Sequence, residues 1–484
     1  MRPARIMKNS VAFMGGRTYH AILSLLAIRL IAQYLELEGF GEYGFIMAVC
    51  TIFMVITDMG TSTICIREMA RDLSKANAIF WAGTVVKFVL SFVTFGCIAL
   101  VINAMSDSSE IISATYIAAA AVILLFLGDI FHAVFVAFEK MGYSALLSSV
   151  QMTCYLFFLV LFIQLDFGMH GIFGALLLSY GIRILTGIVI LFRKFFKPSP
   201  YLNVSLCLYL LKEAYFIGIS RILRKTSFRI DTVLLKIMRS ASEVGLFYGV
   251  YRIILVLTLI PQSINQALFP TISRLAVESK DSLRRLLEKS VKILLLLVIP
   301  LVCVFVFLSE EVIELVLGKS FSSAAPAMMV LSLVWGVMFF SDLFVRALNG
   351  CDRQSLATKA VASCLIVNVV ADVFLIHLFG YLGAVFATLL GEITLFVGAY
   401  YFISKNVGKI CWRKVVFKPL LAGILMAAVM YGLNFTSRAA ALLAGPGMFF
   451  IAIIVLQVFD REEMEIIRER LQKIRHRFGY LTAR

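Results

Sequence analysis

Long apolar segments, each close to the length of a membrane crossing, alternate with short polar connectors along almost the whole chain. The hydrocarbon core of a bilayer is about 30 Å thick and takes about 20 apolar residues of α-helix to cross. The pattern therefore predicts an all-α polytopic membrane protein with about fourteen transmembrane helices. The predicted spans are 10–33, 43–65, 79–104, 112–136, 145–165, 171–192, 213–236, 244–268, 290–308, 324–347, 357–378, 382–403, 416–434 and 442–459.

The composition agrees with this class. Of the 484 residues, 61% are apolar and 15% are charged, and the mean hydropathy is +0.94, whereas ordinary soluble domains are about half apolar and a quarter charged. The connectors are shorter than the roughly 50 residues that an independent soluble domain needs. Cysteines are dispersed without a Cys-x-x-Cys pair, which argues against a zinc site or a disulfide framework.

Basic and acidic connectors alternate, as the positive-inside rule describes for successive sides of a membrane. The basic connectors contain Arg67, Arg71 and Lys75; Arg193, Lys194 and Lys197; Arg274, Lys280, Arg284, Arg285 and Lys289; and Lys405, Lys409, Arg413 and Lys414. The intervening acidic connectors contain Glu36 and Glu38, Asp107 and Glu110, Asp166, and Glu310 and Glu311. We predict that the basic sides and both termini are cytoplasmic. An even number of crossings is then required, and twelve also satisfies it if the last two spans are mistaken.

Segment 460–484 is rich in arginine and lysine and is predicted to be an amphipathic helix on anionic lipid headgroups. Together with the topology, this contact with membrane lipids explains most of the net charge of +16. No nucleic-acid partner is predicted.

Two glycine-containing motifs recur about two hundred residues apart. The pairs are Gly41-Glu-Tyr43-Gly44 with Gly245-Leu-Phe247-Tyr-Gly249, and Gly168-Met-His-Gly171 with Gly380-Tyr-Leu-Gly383. Because the offset covers six crossings, the two halves would be parallel and related by an axis along the membrane normal. This predicts one lobe at 1–209, a second lobe at 210–410, a trailing helix pair at 411–459 and a basic tail at 460–484. Each motif alone is also what a turn and a close helix contact produce.

The seventh span carries a dense group of ionisable residues. Positions 221, 224, 225, 229 and 231 fall within an arc of about 160°, so one helix face can hold four cations and one anion. Ionisable groups in hydrocarbon normally face a cavity or a partner, and this face is suited to an anionic ligand. Alternatively, the cations snorkel toward headgroups and Asp231 neutralises Arg229 or Arg224. Snorkelling is strained at Arg229, about 25 Å along the helix.

The first span, equivalent to the seventh in the other half, adds two arginines, and the eighth span adds one more. The predicted substrate-contacting residues are Arg17, Arg29, Arg221, Arg224, Lys225, Arg229, Asp231 and Arg252.

Motifs of catalysis and nucleotide binding are missing: the chain has no phosphate loop, no His-Glu-x-x-His and no Gly-x-Ser-x-Gly. We therefore predict a protein that is not an enzyme and holds no cofactor. Single charges inside apolar segments are Asp58, Lys87, Asp129, Arg183, Asp372 and Glu392. One of the acids is a candidate to bind a coupling proton or sodium ion.

Several of these stretches carry a resemblance to a known family. They are Ile31-Ala-Gln-Tyr-Leu-Glu-Leu-Glu-Gly39-Phe-Gly41-Glu-Tyr43-Gly44, Asp58-Met-Gly60, Arg67-Glu-Met-Ala-Arg71, Asp231-Thr-Val-Leu-Leu-Lys236, Glu243-Val-Gly245, Ala267-Leu-Phe-Pro270 and Phe379-Gly-Tyr-Leu-Gly383-Ala. Their succession resembles the polysaccharide transporter family, the Wzx-type flippases of lipid-linked oligosaccharides, over most of the chain. One departure is Glu38-Gly39-Phe40-Gly41 where the family usually has Leu-Gly.

The resemblance implies two six-helix lobes related by a pseudo-two-fold axis, as in the MATE exporters and the lipid II flippase MurJ of the MOP superfamily, working by alternating access. It also implies a bacterial inner-membrane protein that moves an undecaprenyl-diphosphate-linked glycan to the outer leaflet for O-antigen, capsule or exopolysaccharide synthesis. The polymerase and glycosyltransferases of the same pathway are expected partners. In this family, cationic cavity residues are thought to meet the diphosphate and acidic sugars.

Three other functions compete with this interpretation. A MATE-like exporter of cationic drugs should have an acidic cavity, which the arginines and lysines of the seventh span disfavour. A membrane glycosyltransferase would need a sizeable extramembrane loop with catalytic residues. A scaffold of the glycan assembly machinery stays open on sequence grounds.

Overall fold

The computed structural model describes residues 3–106, 108–227, 229–434 and 437–459. Within these ranges the chain is helical and contains no strand, which confirms the predicted all-α class. The helices are α1 (Pro3–Asp58), α2 (Thr61–Arg71), α3 (Ala76–Met105), α4 (Ser109–Ala137), α5 (Met141–Gln164), α6 (Gly168–Lys194), α7 (Val204–Ser227), α8 (Ile230–Met238), α9 (Ala241–Leu257), α10 (Leu259–Glu278), α11 (Lys280–Phe307), α12 (Ser309–Val316), α13 (Ala325–Gly350), α14 (Gln354–Phe379), α15 (Tyr381–Asn406), α16 (Trp412–Asn434) and α17 (Arg438–Val455), with 3₁₀ turns at Leu73–Lys75 and Lys319–Ala324.

Eleven helical segments of the described chain are long and apolar enough to cross a membrane. The first of them, Thr18–Arg71, covers two predicted spans. The two spans are divided at Glu36, where α1 is interrupted by a φ of 56° that lies outside the helical range. The seventh and eighth predicted spans are the broken pairs α7/α8 and α9/α10. These features are compatible with fourteen crossings. The predicted basic tail at 460–484 lies outside the described residues.

One compact unit consists of 1–257, 310–331 and 358–395. In it α1 packs against α3, α4, α5 and α9, and α4 packs against α6. Membrane helices associate through close packing, since lipid is as apolar as their side chains. Gly83 accordingly leaves room for Cys65 and Ile130, and Gly187 leaves room for Phe131.

Two glycines of the repeated motifs have the same backbone conformation. Gly168 precedes the body of α6 with φ +59°, and Gly380 precedes α15 with φ +57°. Glycine adopts this left-handed region readily because it has no Cβ. The shared conformation is what a duplication of the two halves would leave.

The other unit consists of 258–309, 332–357 and 396–484. In its described part, α11 packs against α16 and α17 around Met426, Met430 and Phe449. Contacts divide the chain differently from the predicted lobes at 1–209 and 210–410, which describe internal repeats and stay a prediction.

Candidate substrate and ion sites

The seventh predicted span is interrupted where its charged residues lie. α7 ends at Ser227 and α8 begins at Ile230, and Arg229 has the non-helical dihedrals φ −134° and ψ −16°. The arc of about 160° assumed an unbroken helix, so it applies only up to Ser227. Broken helices are where transporters place substrate and ion sites, because helix ends and unwound backbone face the cavity there.

Arg229 and Arg252 both lie near one tyrosine, Tyr248. Arg229 is 8% exposed, and its guanidinium carbon lies 5.9 Å from the ring centroid of Tyr248. Arg252 follows Tyr248 by one turn of α9, with the hydroxyls of Tyr43, Tyr155 and Tyr180 electrostatically near it. Among the described residues, Nη1 of Arg229 and Nε of Arg252 are buried without a hydrogen-bond partner. Unused buried donors of this kind are suited to the oxygens of an anionic ligand.

Arg221 belongs to a charged network at the end of α1. Its guanidinium group donates to the carboxylate of Asp58 and its side chain is 43% exposed. Lys87, which is 0% exposed, lies 3.0 Å from the same carboxylate and donates to the hydroxyl of Ser62 at 2.7 Å. The structure thus pairs two charges that the sequence left as single residues.

A second pair joins α4 and α6. Arg183 donates to Asp129 with a separation of 2.6 Å, and the neighbouring His132 lies 2.8 Å from the hydroxyl of Ser144. These pairs cover the isolated charges of the first half of the chain.

The remaining predicted site residues have different surroundings. Arg29 donates to the backbone carbonyl of Leu315, near the predicted outward end of the first span. Lys225 is exposed. The side chains of Arg17 and Arg224 lie outside the described residues. Of the predicted site residues that are described, the structure therefore brings together Arg229 and Arg252. Asp231 is close to them because it follows Arg229 by two residues.

Asp231 and Asp372 form a buried carboxyl pair. They are 1% and 0% exposed and lie within hydrogen-bonding reach of each other. The hydroxyl of Thr388 donates to Oδ2 of Asp231 at 2.8 Å, and Asn368 also lies within reach of Asp231. In the described part of the chain, no donor group reaches Oδ1 of Asp231, either oxygen of Asp372 or Oδ1 of Asn368.

The chemistry of this cluster differs from that of the cationic face. Two carboxylates in contact do not both remain ionised unless a cation compensates them, and without a cation they share a proton. The donor set consists only of oxygens, which hard cations prefer. The described residues contain no group of three His, Cys, Asp or Glu side chains with metal-site geometry. By its oxygen donors, the cluster fits a proton or a hard cation such as sodium better than a transition metal.

Sequence reasoning placed Asp231 on the cationic face and did not link it to Asp372. A signal was present, because Asn368 and Asp372 are one turn apart on α14 and Thr388 and Glu392 are one turn apart on α15. Residues four apart share a helix face, so each helix carries a polar pair on one side. Only tertiary packing brings these faces to Asp231.

Family comparisons agree with the fold. The model described as polysaccharide biosynthesis protein matches residues 6–276, and the model named MatE matches 217–374. A putative O-antigen transporter of Shigella flexneri is 23% identical over 398 residues, which is 78% of this chain and 93% of that protein. A probable flippase of Haloferax volcanii is 31% identical over 196 residues, and this chain spans about 40% of that relative's length.

Solved structures with the same architecture include the lipid II flippase MurJ in an inward closed conformation, with a TM-score of 0.72, 14% identity and coverage of 92% of this chain and 98% of that one. An inward-facing MATE multidrug resistance transporter of the MOP superfamily has a TM-score of 0.67 at 14% identity, covering 82% and 98%. At such identities the likeness concerns the fold alone, which is multi-pass and helical. Since the first family model covers more than half of the chain, the protein belongs to the polysaccharide biosynthesis protein family.

Proposed function

We propose that the protein is a flippase that carries an undecaprenyl-diphosphate-linked oligosaccharide from the cytoplasmic to the outer leaflet of a bacterial inner membrane, for O-antigen, capsule or exopolysaccharide synthesis. The observation that carries this proposal is that Arg229 and Arg252 each hold one buried guanidinium nitrogen, Nη1 and Nε respectively, without a hydrogen-bond partner among the described residues. The names of the relatives, a flippase and an O-antigen transporter, support it. The charge pattern of the connectors supports cytoplasmic termini.

The physical task is to move a charged, hydrated headgroup past hydrocarbon while its lipid tail stays in the bilayer. An ion in hydrocarbon is costly, and a cationic cavity replaces the hydration of the diphosphate. Arginine suits this role because its planar fork donates two parallel hydrogen bonds to phosphate oxygens. The tyrosines around Arg252 add hydroxyls and ring faces that can contact sugars. Arg17, Arg29, Arg221, Arg224 and Lys225 remain proposed contacts on the path.

Coupling to a proton or sodium ion is proposed at Asp231 and Asp372. Arg229 and Asp231 flank the start of α8, and Tyr251 is electrostatically near both. A cation that neutralises the carboxyl pair changes the field at Arg229. By linkage, substrate binding at Arg229 then changes the affinity for the cation by the same factor.

Translocation of a fluorescent lipid-diphosphate oligosaccharide in proteoliposomes tests the substrate. A lost hydrogen bond to a charged group is worth about 1.5–3 kcal/mol, so Arg229→Ala and Arg252→Ala should each slow translocation by about 10- to 150-fold. Arg193→Ala is the matched control, because this arginine is exposed in the last turn of α6. Wild-type rates in both variants would remove these residues from the path. Failure of the wild type with several glycans would favour the alternative below.

Cation coupling has its own test. Sodium or a pH gradient should accelerate translocation by the wild type and by Arg193→Ala. The Asp372→Asn variant should remain folded, but its translocation rate should no longer depend on sodium or on the pH gradient. A variant that keeps full ion dependence would place coupling elsewhere.

The alternative is a MATE-like exporter of cationic compounds. The observation that favours it is the MatE match over 217–374, which includes Asp231 and Asp372. A cationic dye would then be expelled by the wild type, blocked by Asp372→Asn and tolerant of Arg229→Ala. A flippase shows no such efflux, and a scaffold of glycan assembly shows neither activity.

A further inference from the structure

Two glycines of the repeated motifs hold α1 and α9 in backbone contact. A Cβ atom placed on Gly41 would lie 1.8 Å from the carbonyl oxygen of Ala241 and 2.9 Å from the nitrogen of Gly245. A Cβ atom placed on Gly245 would lie 2.3 Å from the carbonyl oxygen of Leu37. Real Cβ contacts shorter than 3.0 Å essentially never occur. The obstructing atoms belong to backbone, which cannot rotate away, so only glycine fits at either position.

The two contacts are reciprocal. Gly41 meets the residue four positions before Gly245, and Gly245 meets the residue four positions before Gly41. Identical surfaces that meet around a two-fold axis produce this exchange of partners. Because the same glycines stand in the repeated sequence motifs, the crossing lies on the axis that would relate the two halves. In transporters built from repeats, the substrate path runs along that axis.

An aromatic layer lies beside the crossing. The rings of Phe40 and Tyr43 lie 5.7 Å and 6.0 Å from the ring of Tyr248, and all three residues are 4% exposed or less. Arg229 lies over the same Tyr248 ring. The acidic connector at Glu36 and Glu38, where α1 is interrupted, places this middle part of α1 outward by the charge pattern. The crossing and its aromatic layer thus close over the candidate substrate site from the outward side.

We propose that the Gly41–Gly245 crossing is the outward gate of the transporter, closed by backbone contact and opened by separation of α1 from α9. A contact made by glycines has no interlocking side chains, and its Cα–H···O interactions are each worth only about 0.5–1 kcal/mol. Such a contact can therefore part and re-form without a change of rotamer. The inference rests on the proposed flippase function and takes it to work by alternating access.

The test adds a methyl group at the gate and reads access without any substrate. Gly41→Ala and Gly245→Ala are compared with Gly96→Ala and Gly181→Ala, where an added Cβ meets nothing within 4 Å. Each variant carries Ala48→Cys as the reporter. Ala48 is 0% exposed and lies on the same face of α1 as Gly41, since seven residues turn the helix by about 700°.

A membrane-impermeant maleimide is applied to right-side-out and inside-out vesicles, and labelling at position 48 is read by peptide mass spectrometry, which separates it from the native cysteines. The added methyl group should destabilise the closed state, because it collides with backbone atoms there. A shift of about 1.4 kcal/mol changes the ratio of open to closed states tenfold. The gate variants should therefore label from the outward face about tenfold faster than the controls. Gate variants that fold like the controls and label at the control rate would overturn the proposal, as would labelling accelerated only from the inside.

A second measurement keeps both glycines in case the alanine variants do not fold. Leu37→Cys with Ala241→Cys flanks the crossing, and a short bifunctional thiol reagent should fasten it closed. Residual outward labelling of Ala48→Cys should then fall about tenfold relative to either single flanking variant. Unchanged labelling after cross-linking would refute the gate. Neither measurement needs a glycan, so a failure of the flippase proposal and a failure of the gate remain distinguishable.

Discussion

The ammonium group of Lys87 and the carboxylate of Asp58 allow the energetics of the buried charges to be tested. Removing one member of a buried ion pair strands the other charge in a low-dielectric interior and costs about 3–5 kcal/mol. Asp58→Asn should reach this range, because among the described residues Lys87 would keep only the hydroxyl of Ser62 and the carbonyl of Phe126.

The other two members of the network should cost less. Lys87→Met leaves Asp58 with Arg221 and the Ser62 donors, so we expect about 2–3 kcal/mol. Arg221→Gln should cost about 0–1 kcal/mol, since its side chain is 43% exposed and exposed pairs contribute little. The double variant Asp58→Asn with Lys87→Met removes both buried charges and should be more stable than Asp58→Asn alone.

Equilibrium unfolding in mixed detergent micelles measures these differences as free energies of unfolding. A loss of about 3–5 kcal/mol corresponds to a change of about 150- to 5,000-fold in the unfolding equilibrium. The reasoning would be refuted if Arg221→Gln cost as much as Asp58→Asn, or if the double variant were less stable than both single ones.

Three further predictions concern helix ends and turns. Gly383→Ala places a Cβ 2.0 Å from a backbone carbonyl oxygen and should lower the free energy of unfolding by about 1–3 kcal/mol or more, whereas Gly96→Ala, in open space, should be neutral or stabilising in the same assay. Ser437→Ala removes the side-chain cap of α17 and should cost about 1 kcal/mol, read by the same unfolding measurement. The hydroxyl and backbone amide of Ser74 hold the pKa of Asp72 below its usual value, so the stabilisation of this cap is present above the unfolded pKa and is lost as the pH falls through the lowered one; amide exchange at 73–76 measured against pH, with Asp72→Asn as the insensitive control, checks it.

Hydropathy predicted the helices well where they are continuous. The predicted span 79–104 corresponds to Ala76–Met105, and 145–165 corresponds to Met141–Gln164. The agreement has a physical cause, because lipid requires every backbone group to be paired within the segment. An apolar run of sufficient length is therefore almost obliged to be helical.

The interruptions were not predicted, and the signals for them differ. Pro261 has no N–H for the carbonyl of Leu257, which is where α9 ends. That signal is ambiguous, since Pro270 lies inside α10. At Arg229 neither glycine nor proline marks the break, so nothing local distinguishes it from a continuous helix. The breaks are the places where tertiary context decides the backbone.

The sequence also did not predict which buried charges pair with each other. Asp58 and Lys87 are 29 positions apart, and Asp129 and Arg183 are separated by 54. Each pair forms because two helices pack with a particular rotation, which hydropathy does not specify. These four single charges are two acids and two bases, which could have suggested that they pair, but not which acid meets which base.

The partners of a buried charge separate structural from functional roles in this protein. Lys87 and Asp58 satisfy each other, so substitutions there should reduce stability while each folded molecule keeps its activity. Among the described residues, Arg229 and Asp372 retain buried polar atoms without partners, and an unsatisfied group of this kind costs about 1–3 kcal/mol. Replacing Arg229 by Met or Asp372 by Leu should therefore leave the protein equally stable or more stable while slowing transport by tenfold or more, as for Arg229→Ala above. The unpartnered groups destabilise the free protein at positions where a bound ligand would satisfy them. Variants at these two positions that are stabilised but inactive would show that Arg229 and Asp372 serve ligand binding.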